Sequence, residues 1–414
     1  MRKIEWLGLY LCCLLGMIGS NAVMAQTGER YAQPVFDEVT VTEGIPFSRA
    51  LRQDATEPTT LYMDFYEPTG DVLAERPLVI TVFGGAYVAG SRDYADMVEY
   101  CTRLAKHGYV CASIDYRLLS IWQLSATNII RDGYMAAQDV SSAVRFFKAY
   151  SEDYRIDTSR IFLLGNSAGS IAILAEMFMS EDERPEETFQ APDLGPMHSS
   201  GYPEYADYSP QVAGAIPHWG GVPNPDMIDS EEYRPLCLIH GTDDTTVPYD
   251  SGYCFANYSL PFMPYMYGSH AIASHLDDIG IDDYEFHPFE GEGHNFYLSV
   301  SGQINENKFN ACFDISRDFL LEHLNFPTST SEMDSHELAI FPNPTSHGIT
   351  IDMASVSQGE PCRIRITNVY GQELVSETLS SSHPSFDVSH WSSGVYLVQV
   401  EWEGGRLCKE FIKR

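Results

Sequence analysis

The alternation of strand-like and helix-like segments between residues 35 and 325 most constrains what this chain can fold into. Residues 128–150 and 306–324 have clear helical periodicity. Strands that alternate with helices predict a mostly parallel sheet with helices on both faces, a three-layer α/β fold. Seven short runs rich in Val, Ile, Phe and Tyr have the length of strands: residues 60–67, 76–85, 109–116, 160–166, 212–220, 235–241 and 283–291.

Two features modify this domain, which we place at residues 26–326. The strands before residue 70 have no helix between them and are expected to form an antiparallel edge. Residues 180–211 are polar, rich in Pro, Gly and Tyr, and follow neither period. Long irregular stretches inside a compact domain are often lids or binding loops. We interpret this stretch as an insertion over one end of the sheet and a candidate lid.

The first 25 residues have the features of a secretory signal peptide. Arg2 and Lys3 precede an apolar run at residues 6–18, and small residues precede Gln26. A retained membrane anchor is the weaker alternative, because a span needs about 20 apolar residues. We therefore expect an exported chain.

The C-terminal part has a different pattern. Residues 327–337 are polar and aperiodic, which predicts a linker. Residues 338–414 alternate apolar and polar positions between turn signals, which predicts a small all-β, Ig-like sandwich.

The charge and the cysteines of the chain argue against nucleic-acid binding, a metal site and disulfide bonds. The formal net charge is -33, which argues against nucleic acid as a partner. Two of the nine cysteines lie in the predicted signal peptide, so seven would remain in the mature chain. Their spacing matches no metal site, and a core of this size needs no disulfides, so buried free thiols are expected.

A serine lies at the junction of a predicted strand and a predicted helix. Residues 165–169, Gly-Asn-Ser-Ala-Gly, match G-x-S-x-G, the pattern of a nucleophile elbow that exposes the serine hydroxyl on a tight turn. An ordinary glycine-lined turn or a phosphate-binding helix N-terminus would fit the bare pattern too. The choice depends on partner residues elsewhere in the chain.

Two later loops supply candidate partners for Ser167. Asp244 lies in HGTDDTTVP (240–248) and His294 in FEGEGHNFY (289–297), each just after a predicted strand. The order serine, acid, histidine is that of an α/β-hydrolase triad. Asp243 is the alternative acid, and His240 is interpreted as a residue that stabilises the loop.

Backbone N–H groups complete the predicted site. VFGGAYVAG (82–90) follows a strand, so the N–H groups of Gly85 and Ala86, together with that of Ala168, are candidates for an oxyanion hole. A plain glycine turn is the alternative for this loop. No metal or cofactor is expected, although four residues near one another could be imagined as metal ligands on a solvated amphipathic helix: His270, His275, Asp277 and Asp278.

About residues 50–325 resemble the α/β-hydrolase superfamily, and within it the secreted carboxylesterases and acetyl- or feruloyl-esterases. The resemblance implies Ser167 as nucleophile, Asp244 as acid and His294 as base, with an oxyanion hole at Gly85, Ala86 and Ala168. Phe83 stands where many relatives have histidine, which leaves the rigidity of the oxyanion loop open. The motifs that carry the resemblance are FGGAY (83–87), GYVCASIDYRL (108–118), RIFLLGNSAG (160–169), HGTDDTTVP and GEGH (291–294).

A predicted helix after Val247 is unusually rich in aromatic residues. We expect most of them to pack under the insertion, with lining of an aromatic pocket as the alternative. They are Tyr253, Phe255, Tyr258, Phe262, Tyr265 and Tyr267.

The tail resembles the C-terminal sorting domain of the type IX secretion system of the Bacteroidetes. This resemblance implies export through the periplasm and across the outer membrane, to the cell surface or the medium, with the outer-membrane secretion machinery as partner. A carbohydrate-binding or adhesive sandwich is the alternative. The motifs are FPNPT (341–345), NVYGQ (368–372), SSGVYLVQV (392–400) and KEFIKR (409–414).

These features together predict an exported serine esterase without a cofactor. It would cleave small-molecule or carbohydrate-linked carboxylic esters through an acyl-enzyme. A prolyl oligopeptidase-like peptidase would use the same triad, but the chain has no room for the large propeller domain such peptidases usually carry. A catalytically inactive hydrolase-fold binding protein is the other alternative, although such proteins commonly lack a triad member.

Overall fold

The computed structural model describes most of the chain as two compact units, residues 30–324 and residues 338–414. The predicted signal peptide and the predicted linker lie outside the described residues. Among the helices that are described, none combines the length and the apolar content needed to cross a membrane. The described residues are 30–53, 55–231, 233–258, 263–299, 301–324, 338–353, 361–368, 373–402 and 405–414.

An eight-stranded sheet forms the centre of the first unit, in the order β1-β2-β4-β3-β5-β6-β8-β11. The strands of this unit are β1 (Val39–Ala50), β2 (Thr59–Pro68), β3 (Arg76–Val82), β4 (Val110–Ile114), β5 (Ile156–Asn166), β6 (Gly214–His218), β7 (Gly221–Val222), β8 (Leu236–Gly241), β9 (Ser251–Tyr253), β10 (Tyr265–Gly268) and β11 (Tyr284–Phe289).

The six strands from β4 to β11 in the order of this sheet run parallel, whereas β1 and β2 are antiparallel to their neighbours. Every residue of β3 is buried, as expected of a parallel strand covered on both faces. The chain continues from β3 to β4 on one side and then returns to β5 on the other. Such a reversal leaves a crevice at the carboxyl ends of the strands, where ligands bind in open α/β sheets.

In the described part of this unit, six helices accompany the sheet. α1 packs against α6, where Tyr100 and Phe309 have ring centroids 4.7 Å apart, and α2 packs against α4. The helices are α1 (Ala95–Lys106), α2 (Ala126–Ala149), α3 (Ser151–Tyr154), α4 (Ala168–Phe178), α5 (Ser269–Asp278) and α6 (Glu306–Glu322).

The α/β fold, the seven strands and the two long helices predicted from the sequence are confirmed. The predicted helix after Val247 is wrong, because this segment contains β9 and β10, which form a separate antiparallel sheet with β7 in the order β7-β10-β9. Its tyrosines at alternate positions, such as Tyr265 and Tyr267, suit strands better than a helix.

The insertion at residues 180–211 contains only short 3-10 turns and is held on α2 by side-chain hydrogen bonds to its backbone. Gln138 donates to the carbonyls of Leu194 and Pro196 at 2.9 and 2.8 Å. Arg131 donates to the carbonyl of Pro192 at 2.6 Å and also to that of Glu187. These bonds satisfy backbone acceptors that an irregular segment leaves without partners.

The second unit is a small β-sandwich. One sheet has the order β12-β13-β16 and the other β15-β14-β17-β18, and all pairs within them are antiparallel. Apolar residues of both sheets, such as Ile351 and Val398, are buried in one core. The strands are β12 (Ala339–Phe341), β13 (Gly348–Asp352), β14 (Cys362–Asn368), β15 (Glu373–Leu379), β16 (Ser385–Asp387), β17 (Gly394–Trp402) and β18 (Gly405–Lys413).

The cysteines of the first unit behave as predicted. All five are buried, and none of them forms a disulfide. They are Cys101, Cys111, Cys237, Cys254 and Cys312.

Candidate active site

Ser167 lies on a strained turn between β5 and α4. Its φ of 53° and ψ of -120° are unfavourable for a residue with a side chain, and strain of this kind concentrates at functional sites. The Ser167 N–H donates to the carbonyl of His218 at 3.0 Å, which ties the turn to β6. Glycine is required at position 169, where a Cβ atom would lie 2.1 Å from the carbonyl oxygen of Val82.

His294 connects Ser167 to Asp244. Its Nε2 lies 2.8 Å from Ser167 Oγ, and its Nδ1 lies 2.7 Å from Asp244 Oδ2. Because a carboxylate only accepts hydrogen bonds, Nδ1 carries the hydrogen and Nε2 is free to accept the serine proton. The structure thus brings the three predicted residues together at the carboxyl edge of the sheet, from loops that follow β5, β8 and β11.

Asp244 is buried and held by several donors. Its Oδ1 accepts hydrogen bonds from the N–H groups of Thr246 and Val247 at 2.8 and 3.1 Å. Burial raises the pKa of Asp244, but the hydrogen bonds from His240 and His294 outweigh burial and lower it to about 2. Asp243, the alternative acid, is exposed to solvent, so the geometry favours Asp244.

His240 stabilises the acid loop, as the sequence predicted. Its ring is fully buried, with Nε2 at 3.2 Å from both the carbonyl of Val247 and Oδ2 of Asp244. Neither of these groups donates a hydrogen bond, so Nε2 carries the hydrogen. Nδ1 lies 2.9 Å from the hydroxyl of Ser269 at the start of α5.

The oxyanion loop follows β3 and faces the serine turn. Gly85 and Ala86 have positive φ values of 130° and 53°, and both Val88 and Ala89 donate to the carbonyl of Gly85. Within the described part of the chain, the N–H groups of Gly85, Ala86 and Ala168 donate no hydrogen bond to the protein. They are therefore available to a ligand oxygen.

Phe83 holds this loop through the packing of its ring and a hydrogen bond to its backbone carbonyl. Its ring is buried and stacks on Tyr116, with centroids 4.3 Å apart. The Tyr116 hydroxyl donates to the carbonyl of Phe83 at 3.1 Å. Phe83 and Tyr116 together anchor the oxyanion loop.

An apolar cavity of about 260 Å³ opens beside Ser167. Pro185 and Glu187 of the insertion contribute to its wall, as do Phe255 and Tyr265. Some of the aromatic residues after Val247 thus line a pocket, as in the alternative considered above, whereas Tyr253 is exposed. The side chain of Tyr258, and Phe262 as a whole, lie outside the described residues. Further apolar lining residues are Ile129, Ile130, Ile171, Met179 and Met266.

Three of the four residues considered as metal ligands on α5 have other partners. His270 Nδ1 lies 3.0 Å from Asp250, and His275 Nε2 lies 2.9 Å from the carbonyl of Ile228. Asp277 accepts a hydrogen bond from the hydroxyl of Tyr284 at 2.7 Å.

A buried carboxyl behind the serine turn, that of Asp96, was not predicted from the sequence. Asp96 on α1 accepts a hydrogen bond from the side chain of Asn166, the residue before Ser167, at 2.6 Å. An acidic residue in the first turn of a helix is usually explained by its favourable interaction with the helix dipole. Only the position of Asn166 inside the serine motif could have drawn attention to this pair.

Two protein families match the chain. Residues 63–193 match the family described as BD-FAE, and residues 339–414 match the family described as a secretion system C-terminal sorting domain. The second match indicates that the chain is exported through a secretion system.

Curated relatives include two plant proteins named "Probable isoprenylcysteine alpha-carbonyl methylesterase ICMEL1". The one from Arabidopsis thaliana is 23% identical over 227 residues, which are 47% of this chain and 44% of the relative. The one from Oryza sativa subsp. japonica is 32% identical over 108 residues, which are 26% of this chain and 23% of the relative. The chain thus spans less than half the length of both relatives.

Similar solved structures include those of an esterase from Thermogutta terrifontis. Its propionate-bound form is 21% identical, with a TM-score of 0.46 and coverage of 67% of this chain and 94% of that protein. The same esterase phosphorylated by paraoxon is 20% identical, with a TM-score of 0.46 and coverage of 67% and 95%.

The chain therefore consists of an α/β domain that matches the BD-FAE family at residues 63–193 and a C-terminal β-sandwich that matches the secretion system C-terminal sorting domain at residues 339–414.

Proposed function

We propose that this chain is an exported serine esterase that hydrolyses carboxylic esters through an acyl-enzyme. The observation that supports the proposal is the hydrogen-bonded chain from Ser167 Oγ through the two ring nitrogens of His294 to Asp244, at 2.8 and 2.7 Å. This is the arrangement in which a histidine activates a serine hydroxyl. The curated relatives, which are named as methylesterases, agree with ester chemistry.

In the proposed first half-reaction, Ser167 Oγ attacks the ester carbonyl carbon while its proton moves to Nε2 of His294. The carbonyl electron pair moves onto the oxygen, which is stabilised by the N–H groups of Gly85, Ala86 and Ala168. The tetrahedral intermediate collapses, the bond to the alcohol oxygen breaks, and His294 returns the proton to that oxygen. Asp244 remains anionic and stabilises the imidazolium.

In the second half-reaction, a water molecule takes the place of the alcohol. His294 removes a proton from the water, and the hydroxide attacks the acyl carbon. As the intermediate collapses, the bond to Ser167 Oγ breaks, His294 returns the proton to Oγ, and the carboxylic acid is released. These steps use no cofactor. The apolar cavity beside Ser167 favours esters with an apolar acyl or alcohol group over strongly charged ones. Both small-molecule and carbohydrate-linked esters are compatible with this preference.

The proposal includes the route and the organisation of the chain. Export would lead through the periplasm and across the outer membrane, with the outer-membrane secretion machinery as partner of the sorting domain. We place its segments as a signal peptide at residues 1–25, a hydrolase domain at 26–326 with a candidate lid at 180–211, a linker at 327–337 and the sorting domain at 338–414.

Hydrolysis of p-nitrophenyl acetate, butyrate and octanoate tests the proposal, with Ser167→Ala as the matched variant. We expect turnover by the wild type and a loss of at least about ten thousandfold in the variant. Equal rates for the two folded proteins would reject the serine esterase and leave the binding-protein alternative. Faster turnover of dipeptide anilides than of any ester would instead support the peptidase alternative.

A further inference from the structure

Asp96 is a buried carboxyl that contacts two of the segments that form the candidate site. It lies in the first turn of α1, the helix that follows the oxyanion loop, and only 1% of its surface is exposed. Its Oδ2 accepts hydrogen bonds from Nδ2 of Asn166 at 2.6 Å and from the hydroxyl of Tyr297 at 3.4 Å. Asn166 precedes Ser167, and Tyr297 lies three residues after His294. The carboxyl therefore joins the nucleophile turn to the loop of the base.

The amide of Asn166 also lies against the oxyanion loop. A Cβ atom added to Gly84 would be 2.7 Å from Asn166 Oδ1 and 2.9 Å from Ser167 Cβ. The amide is thus enclosed between Gly84 on one side and Asp96 on the other. Because Asn166 and Ser167 leave no space for a side chain at position 84, a shift of the Asn166 side chain is expected to alter the packing of the nucleophile turn against the oxyanion loop.

Tyr297 is a rigid partner on the side of the base. Its side chain is fully buried, and its ring centroid lies 4.8 Å from that of Trp219 and 5.2 Å from that of Phe309. The packing holds the phenol in place. Its hydrogen bond to Asp96 therefore ties the His294 loop to α1.

Burying an ionisable carboxyl at this position costs free energy of desolvation. Burial raises the pKa of Asp96 to about 6, although hydrogen bonds, among them those from Tyr297 and Asn166, oppose the rise. The titratable groups next to it are the phenols of Tyr100 and Tyr297. A neutral or apolar side chain would fill the space at lower cost, so packing alone does not explain a carboxyl here.

We propose that Asp96 is a positioning residue, which holds Asn166 and thereby sets the nucleophile turn of Ser167 against the oxyanion loop and the His294 loop. The inference rests on the proposed function. Neither Asp96 nor Asn166 lines the apolar cavity. Their loss is therefore expected to slow the chemical step and to leave substrate binding unchanged.

Steady-state hydrolysis of p-nitrophenyl butyrate by the full chain tests this inference with Asp96→Asn, Asn166→Ala and the double variant. We expect each single variant to lower kcat about tenfold, as for a lost hydrogen bond to a charged group, with KM within about twofold. The double variant is expected to lose no more than either single one, because Asp96→Asn removes the charge of the acceptor and Asn166→Ala removes the donor of the same hydrogen bond.

Two further variants separate positioning from folding. Glu176→Gln replaces another buried carboxyl, which lies on α4 outside the wall of the apolar cavity and whose pKa burial raises to about 8, so we expect it to leave kcat unchanged. Tyr297→Phe removes a single oxygen atom and is expected to fold, with kcat lowered about twofold to threefold.

A fluorophosphonate probe reports on Ser167 without a substrate. We expect labelling of the wild type, none of Ser167→Ala, and labelling of Asp96→Asn about tenfold slower than that of the wild type. An active wild type whose Asp96, Asn166 and Tyr297 variants change only the thermal midpoint, with kcat within twofold, would overturn the inference alone. A wild type that neither labels nor turns over ester would overturn the proposed function, and the inference with it.

Discussion

Nε2 of His240 lies 3.2 Å from Oδ2 of Asp244, the same carboxylate oxygen that His294 contacts at 2.7 Å. The acid of the candidate triad is therefore held by a second, fully buried histidine four residues earlier, at the end of β8. This contact adds to two backbone N–H donors and leaves Asp244 a single orientation. It explains how a carboxylate in a loop between strands and helices keeps a fixed position.

Replacement of His240 is expected to loosen the position of the Asp244 carboxylate and to leave Ser167 unchanged. In His240→Phe the carboxylate loses one donor and the hydroxyl of Ser269 loses its partner, so kcat/KM is expected to fall about tenfold. The rates of p-nitrophenyl butyrate hydrolysis and the thermal midpoint measure the effect. His270→Gln is the control, because His270 is a half-exposed histidine paired with Asp250. Equal loss in both variants would contradict the role given to His240.

The two neighbouring aspartates are expected to differ strongly. Asp244→Asn removes the anion that orients His294 and stabilises its charged form, so kcat is expected to fall about ten thousandfold. Asp243→Asn, at an exposed position, is expected to stay within twofold of the wild type. The kcat values of both purified variants test this expectation. A larger loss of kcat in Asp243→Asn would identify Asp243 as the acid.

Asp244 is expected to contribute to stability in a pH-dependent manner. Its pKa is lowered from 3.8 to about 2 in the folded chain, so the folded state favours the ionised form. The contribution is complete above pH 4 and disappears as the pH falls through 2. The lowered pKa corresponds to about 2 kcal/mol.

Urea unfolding of the wild type and Asp244→Asn measures this contribution. The wild type is expected to lose about 2 kcal/mol more than the variant between pH 5 and pH 2. Carbon NMR of the labelled carboxyl provides a direct check. An Asp244 midpoint near or above the ordinary value would contradict the hydrogen-bonding account.

The glycine at position 169 is expected to be essential for folding. A methyl group there would lie 2.1 Å from the carbonyl oxygen of Val82. This backbone atom belongs to β3, a fully buried central strand, so we expect it to move little. Gly169→Ala is expected to lower the free energy of unfolding by about 3 kcal/mol or more. Gly252→Ala is the control, because its methyl group would make only ordinary contacts, at 3.6 Å or more. Similar thermal midpoints for both variants would show that the turn can relax.

Local patterns in the sequence were sufficient for most of the fold. Apolar runs of strand length and helical periodicity predicted the strands from β2 to β11 that build the main sheet, because burial on a sheet imposes its period on neighbouring residues. The segment after Val247 was misread as a helix. Its strands β9 and β10 are only three and four residues long, which is too short for a period to show.

The serine motif and the order of its partners were also legible in the sequence, because a strained turn needs small residues and because hydrolase loops follow strands. The sequence favoured Asp244 over Asp243 by its spacing from the end of the strand, and the geometry supports that choice, since the side chain of Asp244 points towards His294 whereas that of Asp243 is exposed. The sequence predicted that His240 stabilises the acid loop, but not that its Nε2 lies next to Asp244 itself. The contact of Asp96 with Asn166, 70 residues away in the chain, was not predicted at all. Contacts of this kind arise only when distant strands and helices pack together, and burial then gives these polar groups their partners and their shifted pKa values.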